Sequence, residues 1–398
     1  MSDDIEALSK SVHALGLSYI PDESRHHSPK LVDSQLKHVL SLNRIVSTSS
    51  SFSRKHTVAQ FEQSDGFRKV GAGACGAIFG QHGKSLVIKL AKVSDDNELW
   101  NDYVKHKILL EQFKLHQVTS VKIPKCYGFV PRDRQEFWDN NKALVEAAQS
   151  VCHLPTHGLC TEKILPLPGL TRQLLIERFC AESGKTKALN DPANQDCLVR
   201  VYLGSQKGRS GGMFFSLRNF KMHLNHVIEL DLGVEEIALG MATALAVMHW
   251  GAKTDARDVE FALGSVTEPL PSMSAADIAA LPPNTWTGPP SDDLEDFHHR
   301  KTVLWLLDFN QVRTITMDAE GIAMAVQAFG INDPYYPRPL QESTVAQGLW
   351  DQFVKVYLET AGRVLAGEPE EIRDLPNQFI QGVVRLEEEK QKKISSVP

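Results

Sequence analysis

The sequence predicts an α+β protein with a small, β-rich N-terminal part and a larger, mainly helical C-terminal part. Three observations predict this class. Strand-like runs and a glycine-rich hairpin lie before residue 165. Helical spacings of three and four residues dominate after residue 166. In that second part, two apolar segments end in carboxylates, as buried elements do when they lead into functional loops.

Bulk composition limits the class of protein. The chain has 398 residues, of which 42% are hydrophobic, so it can bury a large core. Its apolar runs are shorter than the roughly 18 residues that cross a bilayer, and its first residues are acidic where a signal peptide would be basic. The six cysteines include no Cys-x-x-Cys pair, and the net charge is −6. We therefore expect a cytoplasmic protein with reduced thiols and with no membrane or DNA partner.

Four regions follow from the patterning. Residues 1–60 are expected to be a peripheral, partly disordered segment with one short amphipathic helix near residues 4–15. Residues 61–165 form the N-terminal lobe, and residues 166–340 form the C-terminal lobe with a proline-rich insertion at 265–300. Residues 341–398 contain the last helices.

A glycine-rich hairpin opens the N-terminal lobe. Gly71, Gly73 and Gly76 have the spacing Gly-x-Gly-x-x-Gly, and Lys89 ends the next strand. Glycines let a backbone approach a phosphate or another charged ligand, because they have no Cβ. A strand follows the hairpin rather than a helix, which disfavours a dinucleotide-binding site of the Rossmann type. A tight hairpin without a ligand is the alternative.

The amphipathic helix over residues 98–113 follows. In a protein kinase, the corresponding helix supplies the acid that pairs with the strand lysine. The expected position of this acid is near His106, which leaves Glu98 as a displaced candidate.

Two acidic loops are the strongest chemical signal. Asp255, Asp258 and Glu260 follow an apolar helix, and Asp308 ends the buried run 302–307. These loops resemble the catalytic and metal-binding loops of the protein kinase-like fold. The sequence therefore predicts a two-lobed, kinase-like arrangement with the four carboxylates in its cleft.

The loops depart from the kinase pattern at several positions. Lys253 and Thr254 replace His-Arg, Glu260 replaces the magnesium-binding Asn, and Asn310 replaces the glycine of Asp-Phe-Gly. With Mg-ATP, Asp255 would orient a hydroxyl and Asp308 would hold magnesium. Without nucleotide, the same acids suit a guanidinium, and one of them can act as a general base toward an amine. Helix caps or ion pairs with Arg257 and Arg313 are the structural alternative.

Two further clusters are weaker. Cys152, His153, His157 and Cys160 have spacings unlike those of zinc fingers, so we expect no metal site. Basic residues of the segment 207–221 could contact tRNA, although a solvated loop is an equally simple explanation. They are Lys207, Arg209, Arg218 and Lys221.

Several segments together resemble one fungal family. They are residues 162–168, 197–204, 307–311 and the run Asn-Asp-Pro-Tyr-Tyr-Pro-Arg-Pro at 332–339. This family is filed as a domain of unknown function under a zinc-finger-like label, and its characterised members are similar to arginine-containing cyclodipeptide synthases. The resemblance implies an enzyme that takes arginine from arginyl-tRNA, joins it to a residue from a second aminoacyl-tRNA, and closes a diketopiperazine in secondary metabolism.

The resemblance carries over no catalytic residues. For this chemistry we expect Asp255 to be the base or an acid that orients the amine, and Asp258, Glu260 and Asp308 to be guanidinium partners. Gly71, Gly73, Gly76, Lys89 and Glu98 would line the substrate site. No cofactor is expected, and downstream pathway enzymes are possible partners. A covalent aminoacyl-enzyme, on Cys75 or a serine, stays open. The alternative is a Mg-ATP-dependent phosphotransferase or an inactive, pseudokinase-like binding module.

Overall fold

The structure is a computed structural model. It describes residues 29–43, 45–46, 66–73, 75–81, 83–93, 97–208, 215–218, 220–269, 273–287, 298–332 and 334–395. The amphipathic helix predicted near residues 4–15 and the candidate tRNA contact Arg209 lie outside these ranges.

The first part of the chain is built on an antiparallel sheet of five strands in the order β2-β3-β4-β6-β5. Helix α2 packs on β5 and β6. The elements up to this point are α1 (Pro29–Leu40), β1 (Ile45–Val46), β2 (Phe67–Ala72), β3 (Gly76–Gln81), β4 (Leu86–Ala91), α2 (Glu98–Leu115), β5 (Cys126–Val130), α3 (Gln135–Asn140), α4 (Lys142–Ala148) and β6 (Gly158–Glu162).

The second part is richer in helix. Its elements are α5 (Gly169–Phe179), α6 (Lys185–Asn190), β7 (Val199–Tyr202), β8 (Phe220–His223), α7 (Leu224–Glu229), α8 (Val234–Ala246), β9 (Glu260–Pro269), α9 (Ala275–Ala279), β10 (His298–Leu307), α10 (Ala319–Ile331), α11 (Thr344–Val364), α12 (Glu370–Arg373) and α13 (Leu375–Ser395). The predicted α+β class, with an N-terminal sheet and a more helical C-terminal part, is confirmed and is consistent with a two-lobed fold.

A second sheet positions the acidic loops. Its order is β1-β10-β9-β7-β8, and only the β7–β8 pair is parallel. Strands β9 and β10 pair over ten residues each, with Glu260 opposite Leu307. Because Asp308 directly follows Leu307, this register brings the two acidic loops to the same end of the strand pair. The apolar Phe-Ala-Leu segment after Glu260 predicts only a short strand, whereas β9 and β10 reach into both ends of the predicted insertion, at residues 265–269 and 298–300.

Helix α8 forms the floor of the second part. Its Ala, Leu and Met residues favour helix and are almost all buried, and the helix packs on α11. A π-helical turn, Val247–Gly251, continues it into the acidic loop. His249 in this turn lies 2.9 Å from the Tyr357 hydroxyl, and burial lowers its pKa to about 3. His249 is therefore a neutral core residue that fixes where the loop begins.

Two local expectations are wrong. Residues 29–40 were expected to be peripheral, but α1 buries Val32, Leu36 and Val39 in the main core and packs on α5. The sequence of residues 215–230 predicts a helix, but β8 occupies 220–223 and α7 begins only at Leu224. Pairing of β8 with β7 outweighs the helical pattern there, since tertiary contacts override local propensity. None of the described helices has both the length and the apolar composition needed to cross a bilayer.

Candidate active site

A cleft of about 410 Å³ lies where the glycine-rich hairpin faces the ends of β9 and β10. This volume is within the range of small-molecule sites. Its lining includes Gly71, Gly73 and Gly76, Lys89, and three of the four predicted carboxylates, Asp258, Glu260 and Asp308. The structure thus brings together residues that are almost 240 positions apart in the sequence.

Lys89 connects three elements at the cleft. Its Nζ lies 2.7 Å from Asp102 Oδ2 on α2 and 2.7 Å from Asp308 Oδ1. Burial alone would lower the pKa of Lys89, but the two carboxylates outweigh it and raise this pKa above its ordinary value. Lys89 therefore stays charged and ties the first sheet, α2 and the second acidic loop together.

Sequence reasoning chose the wrong acid on α2. Glu98 accepts a hydrogen bond from Asn310 Nδ2 (2.9 Å), whereas Asp102, one turn later, pairs with Lys89. Asp102 is 3% exposed, and its Oδ1 also accepts from the backbone N–H of Phe309 (3.3 Å). His106 packs behind it, with Nε2 2.7 Å from the Pro124 carbonyl. The signal that could have identified Asp102 is its spacing of four from Glu98, on the same helix face.

The three glycines do different work. A Cβ on Gly76 would lie 3.0 Å from the Leu90 carbonyl and 3.2 Å from Lys89 Cγ, so this glycine lets β3 pack over the lysine. A Cβ on Gly71 would only touch Ile78, at 3.4 Å. Around Gly73 no atom lies within 4 Å of the added Cβ. Packing within the protein therefore explains Gly76, whereas Gly73 leaves open space at the cleft.

Asp255 lies outside the cleft lining. Its side chain is fully buried, and its Oδ2 accepts from Arg313 Nε (2.5 Å). Its Oδ1 accepts from the backbone N–H groups of Arg257 (3.1 Å) and Arg313 (2.8 Å). This carboxylate therefore binds the first acidic loop to the segment after Asp308, and these contacts favour a structural role for it over the predicted role as the base.

Asp258 faces the cleft from a constrained loop. Its φ is +60°, and Ala256 (+53°) and Asp308 (+67°) share this left-handed conformation. Non-glycine residues held there store backbone strain, which is characteristic of functional sites. The Asp258 carboxylate accepts one hydrogen bond, from Gln311 Nε2 (2.8 Å). Burial and nearby Asp308 raise its pKa, against the opposing effect of Arg257 and Arg200.

Glu260 lies beside Asp258 at the start of β9. Its Oε2 is 2.6 Å from Arg200 Nη2. Burial raises the pKa of Glu260 to about 7, Arg200 opposes this shift, and Asp308 and Asp258 add to it. A carboxylate that titrates near neutral pH can accept a proton from an amine under physiological conditions.

Asn332 holds this loop in place and was not singled out as a site residue. Its Oδ1 accepts from the backbone N–H of Asp258 (2.5 Å), and its Nδ2 donates to the Ala256 carbonyl (2.6 Å). Asn332 begins the run 332–339, so this segment supports the acidic loop from behind. The run was noticed for its composition, but nothing local in the sequence links it to Asp258.

Cys75 lies in the hairpin and lines the cleft. Burial raises its pKa to about 11; Lys89 opposes this shift, and Asp308 and Glu98 add to it. The thiol is thus protonated near neutral pH, which disfavours Cys75 as a nucleophile, since the thiolate is the reactive form.

The predicted basic residues do not form one cluster in the structure. Arg218 lines the cleft, whereas Lys207 and Lys221 are exposed. Of the predicted cysteine and histidine cluster, Cys152 is buried in an apolar core and His157 stacks on Phe129. Within the described ranges, no group of three or more His, Cys, Asp or Glu residues has the arrangement of a metal site.

Comparison with known families gives one match. The family DUF3669, described as zinc finger protein, matches residues 304–369. This segment contains Asp308 and Asn332 but neither cysteine nor histidine, so it lacks the ligands that zinc fingers use. Comparisons with curated proteins and with solved structures gave no match.

These findings correct the family assignment made from the sequence. The chain was identified as similar to arginine-containing cyclodipeptide synthases over most of its length, and that assignment is wrong. The family match covers 304–369 only and describes a zinc finger protein, and no curated relative connects the chain to cyclodipeptide synthases. A proposal for function must therefore be based on the cleft itself.

Proposed function

We propose that the protein is an aminoacyl-tRNA-dependent cyclodipeptide synthase. In this proposal it joins the arginyl group of arginyl-tRNA to a second amino acid and releases a cyclo(Arg-Xaa) diketopiperazine for secondary-metabolite biosynthesis in the cytoplasm. The observation that supports it most directly is Asp258, a cleft carboxylate near Asp308. Within the part of the chain that the structure describes, Gln311 is the one residue that donates a hydrogen bond to its side chain. A cation from outside the protein is the partner that Asp258 lacks.

A guanidinium suits this position well. Its planar fork donates two parallel hydrogen bonds to a carboxylate, and it stays charged when it is desolvated. Asp308 gives one oxygen to Lys89 and has a second oxygen to offer. Asp258 and Asp308 can therefore hold the arginyl side chain from two directions, and neutralising Asp258 relieves its repulsion with Asp308.

Glu260 can move the proton. A carboxylate with a pKa near 7 takes a proton from the α-ammonium group of a bound aminoacyl ester. The freed amine attacks the carbonyl carbon of the second ester, a C–N bond forms, and the C–O bond to the tRNA ribose breaks. Glu260 releases the first proton to solvent, takes the second proton from the attacking nitrogen as the C–N bond forms, and donates it to the ribose oxygen. A second cycle on the remaining ester closes the ring and releases the second tRNA.

No nucleotide hydrolysis is needed, because an aminoacyl ester is already activated. This agrees with the contacts of the acids at kinase-like positions. Asp255 is bound by Arg313, Glu260 by Arg200 and Asp308 by Lys89, so each is engaged by a cation of the protein. Such contacts hinder magnesium coordination and leave arginine binding at Asp258 unobstructed.

The test is product analysis in a host with ordinary aminoacyl-tRNA pools. Mass spectrometry should detect an arginine-containing diketopiperazine from cells that express the wild-type chain. Asp258→Asn should reduce it by about 100-fold, the effect of losing one electrostatic partner in a desolvated site. Asp374→Asn, on an exposed helix end, is the matched control and should leave the yield unchanged. Folded, well-expressed protein that yields no such product would overturn the proposal.

A Mg-ATP-dependent phosphotransferase is the second candidate, or an inactive nucleotide-binding module of the same design. It is favoured by one observation, the Lys89–Asp102 pair next to Asp308 beneath a glycine-rich hairpin. This candidate predicts that millimolar Mg-ATP raises the melting temperature and that Asp308→Asn removes the shift. The cyclodipeptide proposal predicts no shift in either protein.

A further inference from the structure

The geometry points to a binding site for nucleotide phosphates at the end of the cleft opposite to the acidic loops. We call it the basic end and define it as Arg68, Lys163, Arg172, Arg218 and Arg300, with the carboxylate of Asp196 among them. Lys163, Arg218 and Asp196 line the cleft, and Arg68, Arg172 and Arg300 lie next to these residues. The inference relies on the proposed function only for the source of the phosphate, an aminoacylated RNA 3′ end.

Charge at the basic end is only partly compensated. Arg68 forms a bidentate pair with Asp196, at 2.5 Å and 2.6 Å, and Arg218 Nη2 lies 3.6 Å from the same carboxylate. Lys163, Arg172 and Arg300 form no ion pair with any carboxylate in the described part of the chain. Two of the five cations therefore share one acid, and the other three have no carboxylate partner among the described residues. Nearby Glu162 is engaged elsewhere, because its Oε2 accepts from the backbone N–H of Lys125 (3.0 Å).

Some N–H groups of these guanidinium groups also form no hydrogen bond within the described part of the chain. Arg300 Nη1 donates to the Pro166 carbonyl (3.3 Å), and Arg172 Nη1 makes a long contact with the Asn194 carbonyl (3.5 Å). The Nε atoms of Arg172 and Arg218 are buried without any hydrogen-bond partner. Burial lowers the pKa of Lys163, Arg172 and Arg300, so the protein holds these cations close together at a cost. An anion from outside would offset that cost.

The strands fix the distance between the two ends. Glu260 and Ser265 are five residues apart on β9, roughly 16 Å at about 3.3 Å per residue. Ser265 forms a bridge with Leu165, two residues after Lys163. Arg300 lies further along, because it is opposite Thr267. A ligand that reaches both ends must therefore have a cation at one end and a phosphate well separated from it at the other.

Arginyl-RNA has this arrangement, since the terminal nucleotide separates its phosphate from the arginyl side chain. Apolar side chains, including Val70, Ile164 and Leu198, line the same cleft and can contact the ribose and base. A bound ATP fits less well. Phosphates beneath the glycine-rich hairpin would meet Lys89, which is already shared by Asp102 and Asp308, and the surplus positive charge lies elsewhere.

The test uses fluorescence anisotropy with a labelled RNA hairpin that ends in single-stranded CCA and carries no amino acid. The double variant Lys163→Gln/Arg300→Gln should bind at least about tenfold more weakly. It should also reduce the slope of log affinity against log salt by roughly 1.4, or about 0.7 for each lost phosphate contact. Lys392→Gln, on the exposed last helix, is the control for the loss of a surface charge. Asp196→Asn should tighten binding, because it removes the competing anion. Melting temperatures of all variants confirm that each is folded.

Unchanged affinity and unchanged salt slope in the double variant would overturn the inference. Parallel titrations with ATP and with a hairpin that lacks CCA separate the sources of phosphate: selective loss of CCA binding indicates the RNA end, and selective loss of ATP binding indicates a free nucleotide. Because the RNA carries no amino acid, the assay is independent of peptide-bond chemistry. Intact RNA binding without any diketopiperazine would refute the proposed function alone, whereas product formation with unchanged binding in the variants would refute this inference alone.

Discussion

The acidic and basic ends of the cleft differ in how far ion pairs within the protein neutralise their charges. At the acidic end, Lys89 and Arg200 bind Asp308 and Glu260, and Asp258 faces the cleft without a cation in direct contact among the described residues. At the basic end, Asp196 pairs with Arg68 and Arg218, and three further cations have no carboxylate partner in the described ranges. The strands β9 and β10 keep these ends apart, so neither surplus can neutralise the other. The difference indicates a ligand that carries both charges, which is how the two proposals fit one molecule.

The strongest way to disrupt this arrangement is to remove the lysine that holds the acidic end together. Lys89→Met leaves Asp102 buried at 3% exposure with only the Phe309 N–H as a donor. Loss of one partner from a buried ion pair typically costs about 3–5 kcal/mol, and we expect a loss of this size in the free energy of unfolding, measured by urea denaturation.

A second substitution sharpens that experiment. Lys89→Met/Asp102→Leu removes the stranded charge and should recover much of the lost stability, as apolar replacements of buried pairs do. Lys92→Met, which removes an exposed contact to the Gly73 carbonyl, should cost less than about 1 kcal/mol. If the double variant is as unstable as Lys89→Met alone, the lysine acts through packing and not through charge.

Asp255 and Asp258 are three residues apart and should respond differently. Asp255→Asn replaces an oxygen that accepts from Arg313 or Arg257, so it should lower the free energy of unfolding by about 2 kcal/mol. Asp258→Asn should change it by less than about 0.5 kcal/mol, because its carboxylate has one weak partner and a nearby like charge. Equal losses would show that Asp258 is also structural, and would remove the main support for arginine binding.

The chain's patterning predicted the class of fold and both acidic loops, for a physical reason. Buried strands and helices have periodic apolar residues, and a carboxylate at the end of such a run is conspicuous. Lys89 and Asp308 were identifiable in this way. The departures from the kinase pattern at Glu260 and Asn310 were also visible, and both residues turn out to make specific contacts, with Arg200 and with Glu98.

What the sequence could not give is partner choice. The sequence alone does not distinguish Asp255 from Asp258. In the fold, Arg313 packs against Asp255, and the Asp255 side chain is buried. Asp102 was missed because its role depends on the orientation of α2 about its own axis, which brings Asp102 and not Glu98 to Lys89. The basic end was missed because its residues come from five distant segments, and the basic cluster apparent in the sequence contributed only Arg218. Such sites are products of tertiary packing and leave no local pattern.

The pH dependence of stability tests the acidic end in a second way. The pKa of Glu260 is raised to about 7 from an ordinary value of 4.5, so the folded protein binds a proton that the unfolded chain releases between these values. The contribution of Glu260 to stability is therefore greatest at low pH and is lost as pH rises through about 7. Urea denaturation at pH 5 and pH 8 should show this loss in the wild type, relative to Glu260→Gln.

Activity should have the opposite dependence. Product formation requires ionised Glu260 and should rise with pH up to about 7 and then level off, and Glu260→Gln should remove this inflection. The matched control is Glu229→Gln, at an exposed helix end, which should keep it. A wild-type profile that is flat between pH 6 and pH 8 would exclude Glu260 as the base.

The smallest expected effect distinguishes the basic end from the outer surface. Lys221 is exposed on β8 and lies 5.9 Å from the Tyr202 ring, whereas Arg218 lines the cleft. Lys221→Gln should change the affinity for the CCA hairpin by less than about twofold, because exposed charges are well solvated and screened. Arg218→Gln should weaken it more, and with a smaller salt slope. If the order is reversed, the RNA lies across the outer face of β8, and the separation of charge along the cleft would have to be explained by a ligand other than RNA.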